Sequence, residues 1–124
     1  IYGIEQHYIW NLWNEDWITR KDSHYTIGCI HTTQGYDMNY VGVIFGKEID
    51  YDPVSNSIVI DLNEYRDKKV KAGMDKDELK KLIINTYTTI LARGIKGCYV
   101  YACNKNLQYY LRKFIAAAND YTLK

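Results

Sequence analysis

The sequence predicts an α/β fold in which a mainly parallel sheet is flanked by helices. Two continuously apolar, β-branched runs, Tyr40–Phe45 and Cys98–Ala102, are typical of strands covered on both faces. Between them lies a segment with helical spacing, which begins at Asp75 with Glu78 three residues on, the pattern of a capping box. Strands that alternate with a helix in this way favour parallel pairing.

This helix is expected to end at Arg93, with Gly94 in the left-handed conformation that follows many helices. A last helix is expected after Asn104, which would act as its N-cap. The apolar positions of the two helices are Leu79, Leu82, Ile83, Tyr87, Ile90 and Leu91 in the first, and Leu107, Leu111, Phe114, Ile115 and Ala118 in the second.

The remaining segments are shorter. Tyr25–Ile30 is expected to form a strand that stops at His31, and Ser57–Ile60 one arm of a hairpin. The charged residues 61–76 are expected to be a solvated excursion. A chain of 124 residues and 14.6 kDa has room for one domain, so residues 1–124 are interpreted as a single α/β domain.

Composition excludes several classes of protein. The net charge of +1 gives no global basic field for nucleic acid, and no apolar run is long enough for a membrane span. Three cysteines without a C-x-x-C pair indicate a reducing, cytoplasmic setting without zinc. The first residue is Ile1, so we expect a processed chain or a piece of a longer one.

Charge is uneven along the chain. Residues 1–60 carry three basic and eight acidic side chains, whereas residues 61–124 carry 13 basic and seven acidic ones. The two halves are complementary, which suits one folded unit as well as it suits a basic binding face.

The polar segment between the first two predicted strands is the first candidate site. Ligands of open α/β sheets bind beyond the carboxyl ends of strands, and Gly35 would let backbone amides approach a phosphate. The candidate ligand residues are His31, Thr32, Thr33, Gln34, Gly35 and Asp37. Composition alone favours the alternative that these side chains only satisfy local backbone groups.

Arg93 is the second candidate. A guanidinium at a helix end can pair with phosphate oxygens in phosphoryl transfer, or it can merely complement the helix dipole. Position alone favours the dipole.

Two further patterns in the sequence are not interpreted as functional sites. The Gly42–Lys47 stretch has three residues between its glycines instead of four, and Glu48 follows its lysine, so it is not a P-loop. The chain alone is therefore not expected to bind and hydrolyse a nucleotide. The cluster of Trp10, Trp13 and Trp17 is more often a cover for one end of a core than a stacking site for bases.

The two candidate sites together resemble motifs of superfamily 1 helicases. Ile30–Ile44, IHTTQGYDMNYVGVI, resembles motif V, and Asn85–Tyr101, NTYTTILARGIKGCYVY, resembles motif VI. With the intervening Tyr65-Arg66-Asp67, they match the signature of an uncharacterised, mostly bacterial family of P-loop ATPases related to the helicase-like region of Schlafen proteins.

The resemblance implies a second RecA-like motor domain and a C-terminal fragment of that motor, with motif V at about residues 27–45 and motif VI at about 85–102. It assigns Arg93 as an arginine finger for ATP and Mg²⁺ held by an upstream P-loop domain of the same polypeptide. It places His31, Thr32, Thr33, Gln34, Gly35 and Asp37 at the nucleotide and the nucleic acid, DNA or RNA. Asp37, where the family has Glu, and Ala92, where it has Thr, depart from the pattern.

Two functions follow from these residues. The first is a fragment of an ATP-dependent helicase-like protein, inactive by itself and without a cofactor of its own. The alternative is a non-catalytic nucleic-acid or protein-binding module, which the departures at Asp37 and Ala92 favour.

Overall fold

The computed structural model describes residues 7–13, 15–33 and 35–116. They belong to two compact units, one within Ile1–Asp37 and the other within Met38–Lys124. The single-domain interpretation of residues 1–124 stays a prediction.

The structure is mixed α/β. Short 3₁₀ turns lie at Trp17–Thr19 and Ser23–Tyr25. The strands are β1 (Ile9–Trp10), β2 (Thr26–Ile27), β3 (Met38–Phe45), β4 (Ile49–Asp52), β5 (Ser57–Ile60) and β6 (Gly94–Ala102); the helices are α1 (Ile30–Thr33), α2 (Lys68–Gly73), α3 (Lys76–Leu91) and α4 (Lys105–Leu111). None of the helices in the described residues is long and apolar enough to cross a membrane.

The strands form pairs, whereas the sequence predicted one mainly parallel sheet. In the described residues β1 pairs with β2 and β3 with β6, both in parallel, and β4 pairs with β5 antiparallel. The hairpin of β4 and β5 is confirmed. It is antiparallel because only residues 53–56 join the two strands, too few for a parallel crossover.

Helix α3 confirms the predicted helix and its capping box at Asp75. Asp75 accepts hydrogen bonds from the backbone N–H groups of Asp77 and Glu78, each at 2.9 Å, and Glu78 completes the capping box. The apolar face buries Leu79 and Ile83, which are 1% and 3% exposed, against β3 and β6. The core of the second unit therefore lies between this helix and one face of the parallel pair.

The end of α3 differs from the prediction. The helix ends at Leu91, with Ala92 as C-cap, and Gly94 already begins β6 without a positive φ. Gly94 is required for another reason, because a Cβ there would lie 2.3 Å from the Gly97 carbonyl oxygen and 2.9 Å from Val41 Cγ1. The ladder is irregular at this point, between Met38 and Tyr40.

Within the described part of the second unit, both strands are covered on one face, whereas the sequence predicted cover on both. Burial alternates along β3: Val41 and Val43 are buried, whereas Tyr40 is 58% exposed. On β6, Val100 is half-buried and Tyr99 is 64% exposed. The cause is that α3 packs on one face only.

Asn104 precedes α4 but makes no capping hydrogen bond with its side chain. Its Nδ2 instead donates to the carbonyl oxygens of Lys47 and Ile49, at 2.9 and 2.8 Å. Asp50 Oδ1 takes the capping position and accepts from the Leu107 backbone N–H at 3.0 Å. The apolar face expected for α4 is formed only in part, since Leu107 is buried and Leu111 packs against the core. Phe114 and Ile115 lie exposed beyond the end of the helix, and Ala118 is outside the described residues.

The segment 61–76 is only in part the solvated excursion that was expected. It contains α2, and Leu62, Tyr65 and Val70 pack against the core. Lys71 Nζ donates to the Leu62 carbonyl oxygen at 2.5 Å, which holds α2 to the chain that precedes it.

Candidate functional site

The polar segment after β2 is a helical turn where a loop was expected, and β2 is shorter than the predicted strand Tyr25–Ile30. Helix α1 begins at Ile30, and the hydroxyls of Thr32 and Thr33 donate to the Cys29 carbonyl oxygen at 2.9 and 3.1 Å. Thr32 is only 5% exposed. Such local bonds compete with extended structure, which is why the strand ends early.

The chain enters this turn at Gly28, where the neighbouring atoms leave no room for a side chain. A Cβ on Gly28 would lie 2.9 Å from both Thr32 Oγ1 and Thr33 Cγ2, and 3.1 Å from Trp17 Cδ2. Trp17 Nε1 donates to Thr26 Oγ1, which itself donates to the Ser23 carbonyl oxygen at 2.9 Å. The turn is thus built on a tightly packed frame within the first unit.

The exit of the turn is open. Gly35 has φ of 88°, and nothing among the described residues lies within 4 Å of where its Cβ would stand. His31 and Asp37 are exposed, and Gln34 is outside the described residues. Of the predicted ligand residues, Thr32 serves the local backbone, whereas Gly35 presents an accessible main chain.

Arg93 lies in the tight connection between α3 and β6. Its backbone N–H donates to the Ile90 carbonyl oxygen at 3.1 Å, and its carbonyl oxygen accepts from the Met38 N–H at 2.9 Å. Two main-chain bonds on either side of its Cα fix where the half-buried side chain starts. The helix end and the first residue of β3 therefore hold the Arg93 main chain in place together.

A polar network that the sequence did not predict closes the other end of β3. The Tyr87 hydroxyl donates to Glu48 Oε1 at 2.5 Å and accepts from the Gly46 N–H at 3.0 Å. Its ring stacks on Phe45, with centroids 4.3 Å apart. Burial, and next the bond to Glu48, raise the pKa of Tyr87 well above its usual range. Its partners lie about 40 residues away in sequence, so no local pattern could have shown it.

The tryptophans have unequal surroundings. Trp17 is half-buried and hydrogen-bonded, and Arg20 lies over the Trp13 ring at 4.3 Å from its centroid. Trp10 is 66% exposed. Trp17 packs within the first unit, beside Thr26 and Gly28, and the covering role expected of the cluster stays a prediction.

The candidate residues lie in separate units: His31 to Asp37 belong to the first and Arg93 to the second. In residues 7–13, 15–33 and 35–116, no three His, Cys, Asp or Glu side chains form a group that could hold a metal ion.

Comparison with known proteins gives two matches. The family model described as Schlafen group 3, DNA/RNA helicase domain, matches residues 2–104. An uncharacterised protein of Saccharomyces cerevisiae, YPL245W, is 36% identical over 97 residues, which are 74% of this chain and 21% of the yeast protein. The chain thus spans about a fifth of that relative's length. No solved structure matches.

Proposed function

We propose, since the chain belongs to the Schlafen group 3 DNA/RNA helicase domain family, that it is the second RecA-like domain of an ATP-dependent helicase-like protein. In this proposal an upstream domain holds ATP and Mg²⁺, and Arg93 supplies the guanidinium that reaches the γ-phosphate. The residues around Gln34 and Gly35 link the nucleotide to DNA or RNA.

The position of Arg93 is the observation that carries the proposal. A residue that stabilises transferred phosphate must start from a rigid point, and the main-chain bonds to Ile90 and Met38 provide one. The connection is short, with only Ala92 and Arg93 between α3 and β6. Any rigid movement of the second unit therefore moves the Arg93 main chain as well, which makes hydrolysis depend on domain closure.

The chain's own residues fit a contributing role better than a nucleotide-binding role. The Thr32 and Thr33 hydroxyl protons are committed to the Cys29 carbonyl oxygen, so they do not donate to a phosphate. Gly35 leaves its main chain accessible, which suits a contact with a phosphate or a sugar. Gln34 and Gly35 are therefore proposed to contact the nucleotide or the nucleic acid. Thr32 and Thr33 are proposed to stabilise the turn through their hydrogen bonds to Cys29.

The test is ATP turnover by the intact protein. Arg93→Ala is expected to lower kcat by about 10³-fold or more, the usual contribution of an arginine finger, and to leave ATP binding within a few-fold of the original. Arg93→Lys keeps the charge but loses the planar fork, and is expected to recover little. Lys96→Ala, an exposed residue of β6, is the matched control and should turn over ATP normally.

Three outcomes separate the alternatives. Normal turnover in Arg93→Ala refutes the arginine finger. Absence of any ATPase activity in the intact protein, together with salt-dependent binding of single strands that ATP does not change, supports the non-catalytic binding module instead. Turnover by the 124-residue chain alone contradicts the need for an upstream domain.

A further inference from the structure

The edge of β5 that faces away from β4, here called the outer edge, carries unpaired backbone groups. In an antiparallel pair, residues that bond the partner strand alternate with residues whose N–H and C=O point away from it. The Asp61 N–H donates to the Glu48 carbonyl oxygen at 2.8 Å, which sets this alternation along the ladder of β4 and β5. The N–H and C=O groups of Ile58 and Ile60 therefore point away from β4. In the part of the chain that the structure describes, they have no hydrogen-bond partner.

The opposite edge of the same hairpin is satisfied by side chains. On β4, Asn104 Nδ2 donates to the Ile49 carbonyl oxygen at 2.8 Å. Asp50 Oδ1 accepts from the Tyr51 N–H, also at 2.8 Å. The outer edge has no such protection, since β5 (Ser57–Ile60, SIVI) contains neither a charged residue nor a proline. Because an edge of this kind is a template for pairing with another extended chain, β5 is suited to accept a further strand.

A cleft of about 500 Å³ lies between the end of β5 and the first turns of α3. Lys76 and Lys80 line it from α3, one turn apart on the same side of the helix, together with Asp77. Within the described residues neither lysine forms an ion pair, and Lys80 is half-buried. The other wall is mostly apolar and is formed by Val59, Ile60, Leu62 and Asn63. Unpaired backbone groups and two ammonium groups thus lie at the same end of β5.

We propose that the outer edge of β5 binds an extended acidic segment of a partner protein, which adds a strand beside β5 and directs a carboxylate to Lys76 and Lys80. An extended backbone supplies the donors and acceptors that Ile58 and Ile60 lack, as in other cases of β-strand addition. Two ammonium groups select Asp or Glu on that strand over a neutral or basic residue. Since β5 has four residues, the added strand pairs over about 13 Å.

The other occupants match these groups less well. A second copy of β5 brings no carboxylate, only the same lysines. The described strands of the first unit, β1 and β2, are two residues long, pair with each other and contain no carboxylate either. The phosphates of a nucleic acid can pair with the lysines, but a phosphodiester backbone has no N–H to donate to the carbonyl oxygens of Ile58 and Ile60.

Amide hydrogen exchange of the 124-residue chain, followed by NMR, tests the added strand. The probe is a short peptide of alternating glutamate and threonine, blocked at both ends. In excess, it should slow exchange of the Ile58 and Ile60 amides at least about fivefold, because both become hydrogen-bonded. The same peptide with lysine in place of glutamate should leave them unchanged. Methylation of every backbone nitrogen of the glutamate peptide keeps its charge but removes its donors, and should weaken binding at least about tenfold.

Substitutions on α3 test the role of charge. Lys76→Glu and Lys80→Glu should each weaken binding of the glutamate peptide at least about tenfold, because an attraction becomes a repulsion. Lys81→Glu makes the same change in net charge on the same helix but outside the cleft, so it is the matched control and should bind normally. Equal binding by all three variants refutes the contact with Lys76 and Lys80.

The remaining outcomes are distinct, and none depends on whether the intact protein hydrolyses ATP. Unchanged exchange of Ile58 and Ile60 with excess glutamate peptide overturns the proposal. Protection of both amides without any peptide overturns it as well, and assigns the edge to a second copy if dilution removes the protection and to the chain's own residues if it does not. Equal binding of the methylated peptide refutes the added strand. Stronger protection by oligothymidine than by the glutamate peptide assigns the cleft to nucleic acid instead.

Discussion

Gly94 offers the sharpest test of the packing in the second unit. An alanine there would place its Cβ 2.3 Å from the Gly97 carbonyl oxygen and 2.9 Å from Val41 Cγ1, whereas ordinary contacts begin near 3.4 Å. The backbone of β6 must shift, because Gly97 lies on the same strand as Gly94, and the buried Val41 side chain of β3 must move as well. Overpacking of this kind costs about 1–3 kcal/mol, more than the few tenths to 1 kcal/mol that Gly→Ala gains by restricting the unfolded chain.

We therefore expect Gly94→Ala to lower the free energy of unfolding by about 1–3 kcal/mol in urea titrations followed by circular dichroism. Gly73→Ala is the matched control. It lies at the end of α2 in open space, and should leave stability unchanged or raise it by up to about 1 kcal/mol.

Gly94→Asn distinguishes the two explanations for this glycine. A left-handed residue after a helix tolerates asparagine, whereas the close approach of the Gly97 carbonyl oxygen and Val41 excludes it at least as strongly as alanine. We expect Asn to destabilise as much as Ala or more. Wild-type stability in either variant would refute the close approach that the structure shows.

Two further substitutions test side-chain hydrogen bonds of the second unit. Tyr87→Phe removes the hydroxyl that joins Glu48 and the Gly46 N–H, and should cost about 1–2 kcal/mol. Because folding raises the pKa of Tyr87, the hydroxyl contributes its full stabilisation below about pH 10, and this stabilisation falls as the pH rises further. In urea titrations, raising the pH above about 10 should therefore lower the free energy of unfolding less in Tyr87→Phe than in the wild type. Asp50→Ala should cost about 1 kcal/mol in the same titrations at neutral pH, since it leaves the Leu107 N–H without its acceptor, and an unchanged midpoint would contradict the capping role.

Local chemistry explains what the sequence predicted correctly. The capping box at Asp75 and the apolar spacing of α3 lie within a few turns of one another, so the same residues that signal the helix also build it. The hairpin of β4 and β5 was predictable for the same reason.

Non-local contacts explain the errors. Asp50, which caps α4, is separated from Leu107 by more than 50 residues, and nothing near Asn104 shows that its amide serves β4 instead. Gly94 looks the same in sequence whether it ends a helix in the left-handed conformation or lies close to Gly97 and Val41. The length of an apolar run identifies β3 but does not say how many of its faces the chain itself covers.

Variants within or beside the β3–β6 pair separate stability from chemistry in the intact protein. Gly94→Ala should lower the free energy of unfolding because its Cβ meets Gly97 and Val41, whereas Arg93→Ala should lower ATP turnover because it removes the guanidinium proposed to reach the γ-phosphate.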